Sequence, residues 1–189
     1  MSDTYTKTAV TLHWLIGIAI IGLLVVGLTM EDAPDAFKPT IYMVHKSLGL
    51  SVLVLSFVRL FWRLAHPAPA LPDTMKKWEV IVSKLTHTAF YILMIGLPLS
   101  GWALVSAAPA PYDFPINWFG LFEWPKITIL TEIENKKEVA HSFGEVHEVL
   151  ANVTIALLVL HIGAALKHHF VLKDGILARM IPCLKKDKE

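Results

Sequence analysis

Three stretches of this chain run free of Asp, Glu, Lys and Arg for longer than a helix in a soluble core needs. Thr8 to Met30 is the first, rich in Ile, Leu and Val. Leu85 to Tyr112 is the second, and Pro109, Pro111 and Pro115 mark its far end as loop. Val149 to Leu166 is the third, and it lengthens once His147 is taken into the helix. A further apolar stretch is interrupted. Ile41 to Leu64 carries Lys46 and Arg59, and reads as one helix when these snorkel or meet a buried anion. Crossing the hydrocarbon core takes about 20 predominantly apolar residues. The pattern predicts an all-α integral membrane four-helix bundle in one domain, with spans at about 8–30, 41–64, 85–108 and 145–167.

The composition agrees. Of 189 residues, 54% are apolar and 17% charged, against roughly 45–50% and 25% in soluble domains. A disordered chain would show the opposite balance. A net charge of +1 and the absence of a large basic patch speak against nucleic acid as a partner; membrane lipid is the expected surround. The single cysteine, Cys183, excludes an intramolecular disulfide, a cysteine-based zinc site and covalent haem attachment.

Loop charges set the expected orientation. Glu31 to Thr40 has three acids and one lysine, and Asp113 to Glu148 seven acids and three lysines. Arg59 to Lys84 has five bases and two acids, and the tail from Lys167 six bases and three acids. Basic segments stay cytoplasmic. Both termini are therefore predicted inside. Thr8–Met30 is too long, and too weakly basic in front, for a signal peptide, and reads as an uncleaved helix. The third loop, with Trp118, Phe119, Phe122 and Trp124, is expected along the outer interface as an aromatic belt.

Nine histidines stand out in such a chain, because ionisable groups inside a membrane face the bundle interior and mark function. On the predicted orientation His45 and His147 lie at the outer level, His13 and His161 at the inner. His147 and His161 are 14 residues apart, about 21 Å along an α-helix and close to four whole turns. One helix thus presents two imidazoles on nearly one face, each with a counterpart at matching depth. Neutral imidazole is a good iron ligand. The arrangement suits two haem b groups, an outer one on His45/His147 and an inner one on His13/His161. The bland alternative is four interfacial or hydrogen-bonding histidines. His87, at the inner level, is a rival ligand or a quinone-site residue; His168, at the inner boundary beside His169, is a second quinone candidate. His66 and His141 read as surface residues. Arg59, Arg63 and Lys46 are candidate partners for haem propionates, with the positive-inside bias as the alternative for the arginines.

The motifs L-H-W at Leu12–Trp14, H-K-S-L-G at His45–Gly49, V-x-R-L-x-x-R-L at Val58–Leu64, H-T-A-F-Y-I-L at His87–Leu93, H-E-V-L-A-N at His147–Asn152 and L-H-I-G-A-A-L-K-H-H at Leu160–His169 resemble prokaryotic cytochrome b561. The resemblance spans all four helices. It implies a dihaem b inner-membrane cytochrome whose ligands match His13, His45, His147 and His161. It also implies electron exchange with ubiquinone, in some members from periplasmic superoxide. Related bundles serve as haem subunits of hydrogenases and formate dehydrogenases, where a partner protein donates the electrons. The outer loops depart from what superoxide would favour, being acidic overall, although Lys46 with Lys136 and Lys137 offers a local positive patch. The expected function is transmembrane electron transfer from superoxide or another one-electron donor to ubiquinone. The alternatives are a haem subunit of a larger oxidoreductase, or a non-haem transporter using intramembrane histidines. Against transport, the apolar stretches hold no carboxylate to couple cations.

Overall fold

The computed structural model describes residues 4–72 and 74–184. Four long helices dominate it: α1 (Lys7–Thr29), α2 (Lys38–Ala65), α3 (Lys77–Ser106) and, after a short α4 (Thr128–Thr131), α5 (Lys136–Lys167). All four are long and apolar enough to cross a membrane. Between α3 and α4 lies a two-stranded antiparallel hairpin, β1 (Ile116–Trp118) and β2 (Phe122–Trp124), pairing Trp118 with Phe122.

The helix starts follow from local chemistry. Thr6 caps α1, its hydroxyl accepting from Ala9 N at 3.2 Å. Pro39 sits in the first turn of α2, where a missing N–H costs nothing. At the start of α3 Lys76 N donates to Glu79 Oε2 at 3.1 Å. Inside the helices Ser47, Ser51, Ser56, Ser106 and Thr154 each donate to the carbonyl four residues back. These five hydroxyls are thereby paired within their own helices. Lipid offers little hydrophobic drive between helices, so close approach over small residues holds them together. Ser47, Ser56, Ser100, Ala103 and Thr154 are accordingly among the buried positions, beside a core of Leu12, Ile16, Val52 and Met94.

Consecutive helices pack side by side: α1 on α2, α2 on α3 and α3 on α5. Among the described residues α1 and α5 make no comparably close approach. A gap is thus left between α1/α2 and α5.

One end of the bundle gathers the starts of α1 and α3 and the ends of α2 and α5. Trp62 Nε1 donates to Thr6 Oγ1 at 2.9 Å, and Lys167 Nζ pairs with Glu79 Oε1 at 3.2 Å. The C-terminal segment closes beneath it, with Trp14 Nε1 on Met180 O at 2.8 Å and Arg179 Nη1 on Ala70 O at 2.6 Å. We call this the terminal end and the opposite one the hairpin end.

The segment from Asp113 to Glu148, read from sequence as loop, is far more ordered than that. Nine residues of α5 precede the predicted span start at 145, and the helix reaches 32 residues, about 48 Å against a hydrocarbon core of about 30 Å. The hairpin is docked on α2 rather than spread as a belt. Leu121 N donates to Trp118 O at 2.9 Å across a turn in which Phe119 (φ 49°) and Gly120 (φ 72°) are both left-handed. Glycine takes that conformation freely; phenylalanine does so at a cost. Phe119 is held there by its N–H, which donates to Ser47 Oγ at 2.8 Å, while Trp118 Nε1 donates to Ser51 Oγ at 3.1 Å.

Candidate functional site: two histidine pairs

The rings of His45 (α2) and His147 (α5) face each other near the hairpin end, with centroids 6.4 Å apart and planes at 71°. Those of His13 (α1) and His161 (α5) do so near the terminal end, at 6.2 Å and 67°. Both pairs therefore bridge the gap left open by the helix packing.

The spacing is informative. Two imidazoles on opposite sides of one metal ion, each bonded at about 2.0–2.1 Å, have centroids about 6.3 Å apart once the ring radius is added. A bare ion needs three or four protein donors. Among the described residues no group of three or more His, Cys, Asp or Glu side chains is arranged to hold a metal ion by itself. A two-imidazole site suits an ion that brings its own equatorial donors, as haem iron does.

The hairpin-end pair leaves ring nitrogens free. His147 Nδ1 lies 3.0 Å from Leu97 O, so it carries the proton and donates, and a neutral ring keeps its lone pair on Nε2. His45 Nδ1 is buried without a hydrogen-bond partner among the described residues. Two glycines make room. A Cβ on Gly27 would stand 3.4 Å from His45 Cε1, and one on Gly101 3.0 Å from His147 Cε1.

The terminal-end pair is arranged differently. Arg59 Nη2 lies 3.3 Å from His13 Nδ1, and its Nη1 donates to Ala9 O at 3.2 Å. A guanidinium only donates, so His13 Nδ1 accepts here. Ligation through Nε2 requires Arg59 to turn away, and a carboxylate is the group that would draw it.

His87 (α3) also reaches this level, its ring 5.9 Å from that of His161. Spacing alone does not separate it from His13. The packing around the two differs: α3 and α5 are in close contact whereas α1 and α5 are not.

The remaining sequence candidates scatter. Arg63 is exposed and Lys46 half-buried; neither makes a hydrogen bond or ion pair among the described residues. Lys46 has Lys126 as a charged neighbour, and Lys126 pairs with Asp113. Of the predicted patch partners, Lys136 also acts on Asp113. His168 pairs with Asp174 in the turn after α5. His66 stacks on Trp62 at 4.1 Å, and His141, on α5, pairs with Glu145 at 3.4 Å. Sequence reasoning missed Leu97, Ser100, Gly101 and Gly27. The unusual Pro98 and Gly101 inside an apolar helix were the available signal.

A sequence model of the family described as prokaryotic cytochrome b561 matches residues 4–183. The probable superoxide oxidase CybB of Yersinia pestis is 30% identical over 96% of this chain and 98% of its own length. Cytochrome b561 homolog 2 of Escherichia coli K12 is 30% identical over 95% of this chain and 92% of its own. Cytochrome b562 of Cereibacter sphaeroides is 27% identical over 94% of each.

Proposed function

The chain belongs to the prokaryotic cytochrome b561 family, and we propose from that premise that it carries electrons from the periplasmic face of the bacterial inner membrane to ubiquinone. Its class is haem b transmembrane electron transfer in a multi-pass membrane protein. The observation that carries the finer reading is the repeated imidazole pair, 6.4 Å apart at one level and 6.2 Å at the other.

A haem held by two imidazoles would supply single-electron exchange. The protein's residues supply the rest. His45 and His147 hold one group, His13 and His161 the other, and α5 spaces the two levels. Gly27 and Gly101 clear space around the outer rings. Arg59, with Arg63 beyond it, stands where a propionate would compete with His13 for its guanidinium; Lys46 takes that role at the outer level. His87 and His168 are the inner-level groups nearest to a quinone head group's requirement for polar partners, and His168 is held by Asp174.

We assign superoxide as the donor. The relative named probable superoxide oxidase CybB matches along nearly its whole length. At the hairpin end Lys46 neighbours Lys126, and Lys126 and Lys136 both act on Asp113; a local positive field there would speed the arrival of a small anion. The test is a reduced-minus-oxidised spectrum of the purified protein with haem stoichiometry, then superoxide added with ubiquinone. Two haem b per chain, rapid reduction and quinol formation are expected. Two haems left oxidised by superoxide would reassign the donor to a partner protein. A colourless chain that refuses added haem would overturn the cytochrome reading.

A further inference from the structure

Two oxygens of α3 converge on one ring of α5. His147 Nδ1 lies 3.0 Å from Leu97 O and 3.0 Å from Ser100 Oγ. The Ser100 hydroxyl donates its own hydrogen to Leu97 O at 2.7 Å. Its oxygen is therefore left to accept from Nδ1–H, and giving its proton to a carbonyl makes it a better acceptor. Beside them a Cβ on Gly101 would stand 3.0 Å from His147 Cε1 and 3.2 Å from Nδ1, closer than side chains pack. The ring is thus seated on bare backbone, with one nitrogen shared between two oxygens. The facing ring has nothing comparable, since His45 Nδ1 has no partner among the described residues. At the other level His13 Nδ1 meets a donor, Arg59, instead of an acceptor.

We propose that Ser100 is a positioning residue for His147: with the Leu97 carbonyl and the clearance at Gly101, it fixes the tautomer that offers Nε2 and sets how strongly that nitrogen donates. The proposal rests on the reading of His147 as an axial ligand. An imidazole whose N–H is pulled by two oxygens carries more electron density at its other nitrogen, and that favours the ferric state of bound iron. The hairpin-end haem is then tuned through one of its two ligands, and its partner His45 contributes no such pull. Ser100 is 6% exposed, so water does not replace the hydroxyl when it is removed.

The test is a redox titration with low-temperature electron paramagnetic resonance on the purified dihaem protein and three variants. Ser100→Ala is expected to keep both haems and raise one midpoint potential. The expected change in that haem's redox equilibrium is about threefold to tenfold, the latter being 59 mV for one electron. Its resonance signal moves with it, the other haem stays in place, and Ser100→Thr restores both readouts. Gly101→Ala, which pushes the ring off its seat, is expected to retain that haem about 10- to 100-fold less tightly. Unchanged potentials and signals in Ser100→Ala would overturn the proposal, leaving the hydroxyl a cap for its own helix. A separate variant, His147→Ala, tests the underlying reading. If it kept two haems, the ligand assignment would fail, whatever Ser100→Ala showed.

Discussion

At the scale of the residue, the terminal-end level poses the sharper question, because three imidazoles meet there. His161 has both His13 and His87 within ring-contact range, at 6.2 and 5.9 Å, and Phe90 packs on it at 5.2 Å. The proposed pairing takes His13, across the gap between α1 and α5. His161→Ala is therefore expected to leave one haem per chain, the hairpin-end one, whereas His87→Ala leaves two. Pyridine haemochrome quantitation decides it. One haem in His87→Ala with two in His13→Ala would exchange their roles. The motif spacing in the sequence already contained the level of each histidine. What it could not contain was the partner of each Nδ1. Leu97 O and Arg59 come from other helices, and whether an imidazole meets a carbonyl or a guanidinium decides which nitrogen is free.

At the scale of the element, the hairpin is the feature that local reading missed. Ile116, Trp118, Phe122 and Trp124 alternate around a Phe-Gly turn, a hairpin signature hidden by the aromatic content that suggested an interfacial belt. Ser47 is its anchor, fully buried and accepting the N–H of Phe119. Ser47→Ala leaves that N–H without its acceptor and is expected to destabilise the protein by about 1–3 kcal/mol. Thermal unfolding in detergent measures it; an unchanged midpoint would mean that the hairpin is held elsewhere. The base of the hairpin has an electrostatic clasp as well. Lys126 beside Asp113 holds that carboxyl below its ordinary range, with Lys136 adding to the effect. A depressed carboxylate contributes stability above its unfolded pKa of about 3.9 and loses it as pH falls through the lower folded value. Tryptophan fluorescence of the wild type is expected to report loosening only below about pH 4. Asp113→Asn removes that acid-dependent step; a variant that kept it would assign the step to another carboxylate.

At the scale of the whole molecule, the charge pattern and the packing bear on one another. The end that gathers the starts of α1 and α3 and the ends of α2 and α5 also carries Arg63, Lys76, Lys77, Lys167 and Arg179, the arrangement expected of a cytoplasmic face. Cys183 is exposed there, and the sequence holds no other cysteine. A membrane-impermeant maleimide is expected to label it in inverted vesicles and not in spheroplasts. Labelling of intact spheroplasts would reverse the orientation and, with it, which haem meets the periplasm.

The sequence by itself determined the number of long apolar helices and which histidines share a level. Both follow from local quantities: the length of charge-free runs against bilayer thickness, and a fixed rise of about 1.5 Å per residue. It also carried the family resemblance, since the motifs lie along every helix. Only the tertiary structure decided which neighbours surround each ring, where the bundle stays open, and that the third loop folds into a hairpin on Ser47 and Ser51. Those outcomes depend on how four helices rotate and pack against one another. In lipid, small residues and internally satisfied polar groups govern that packing, and no periodicity along a single helix records it.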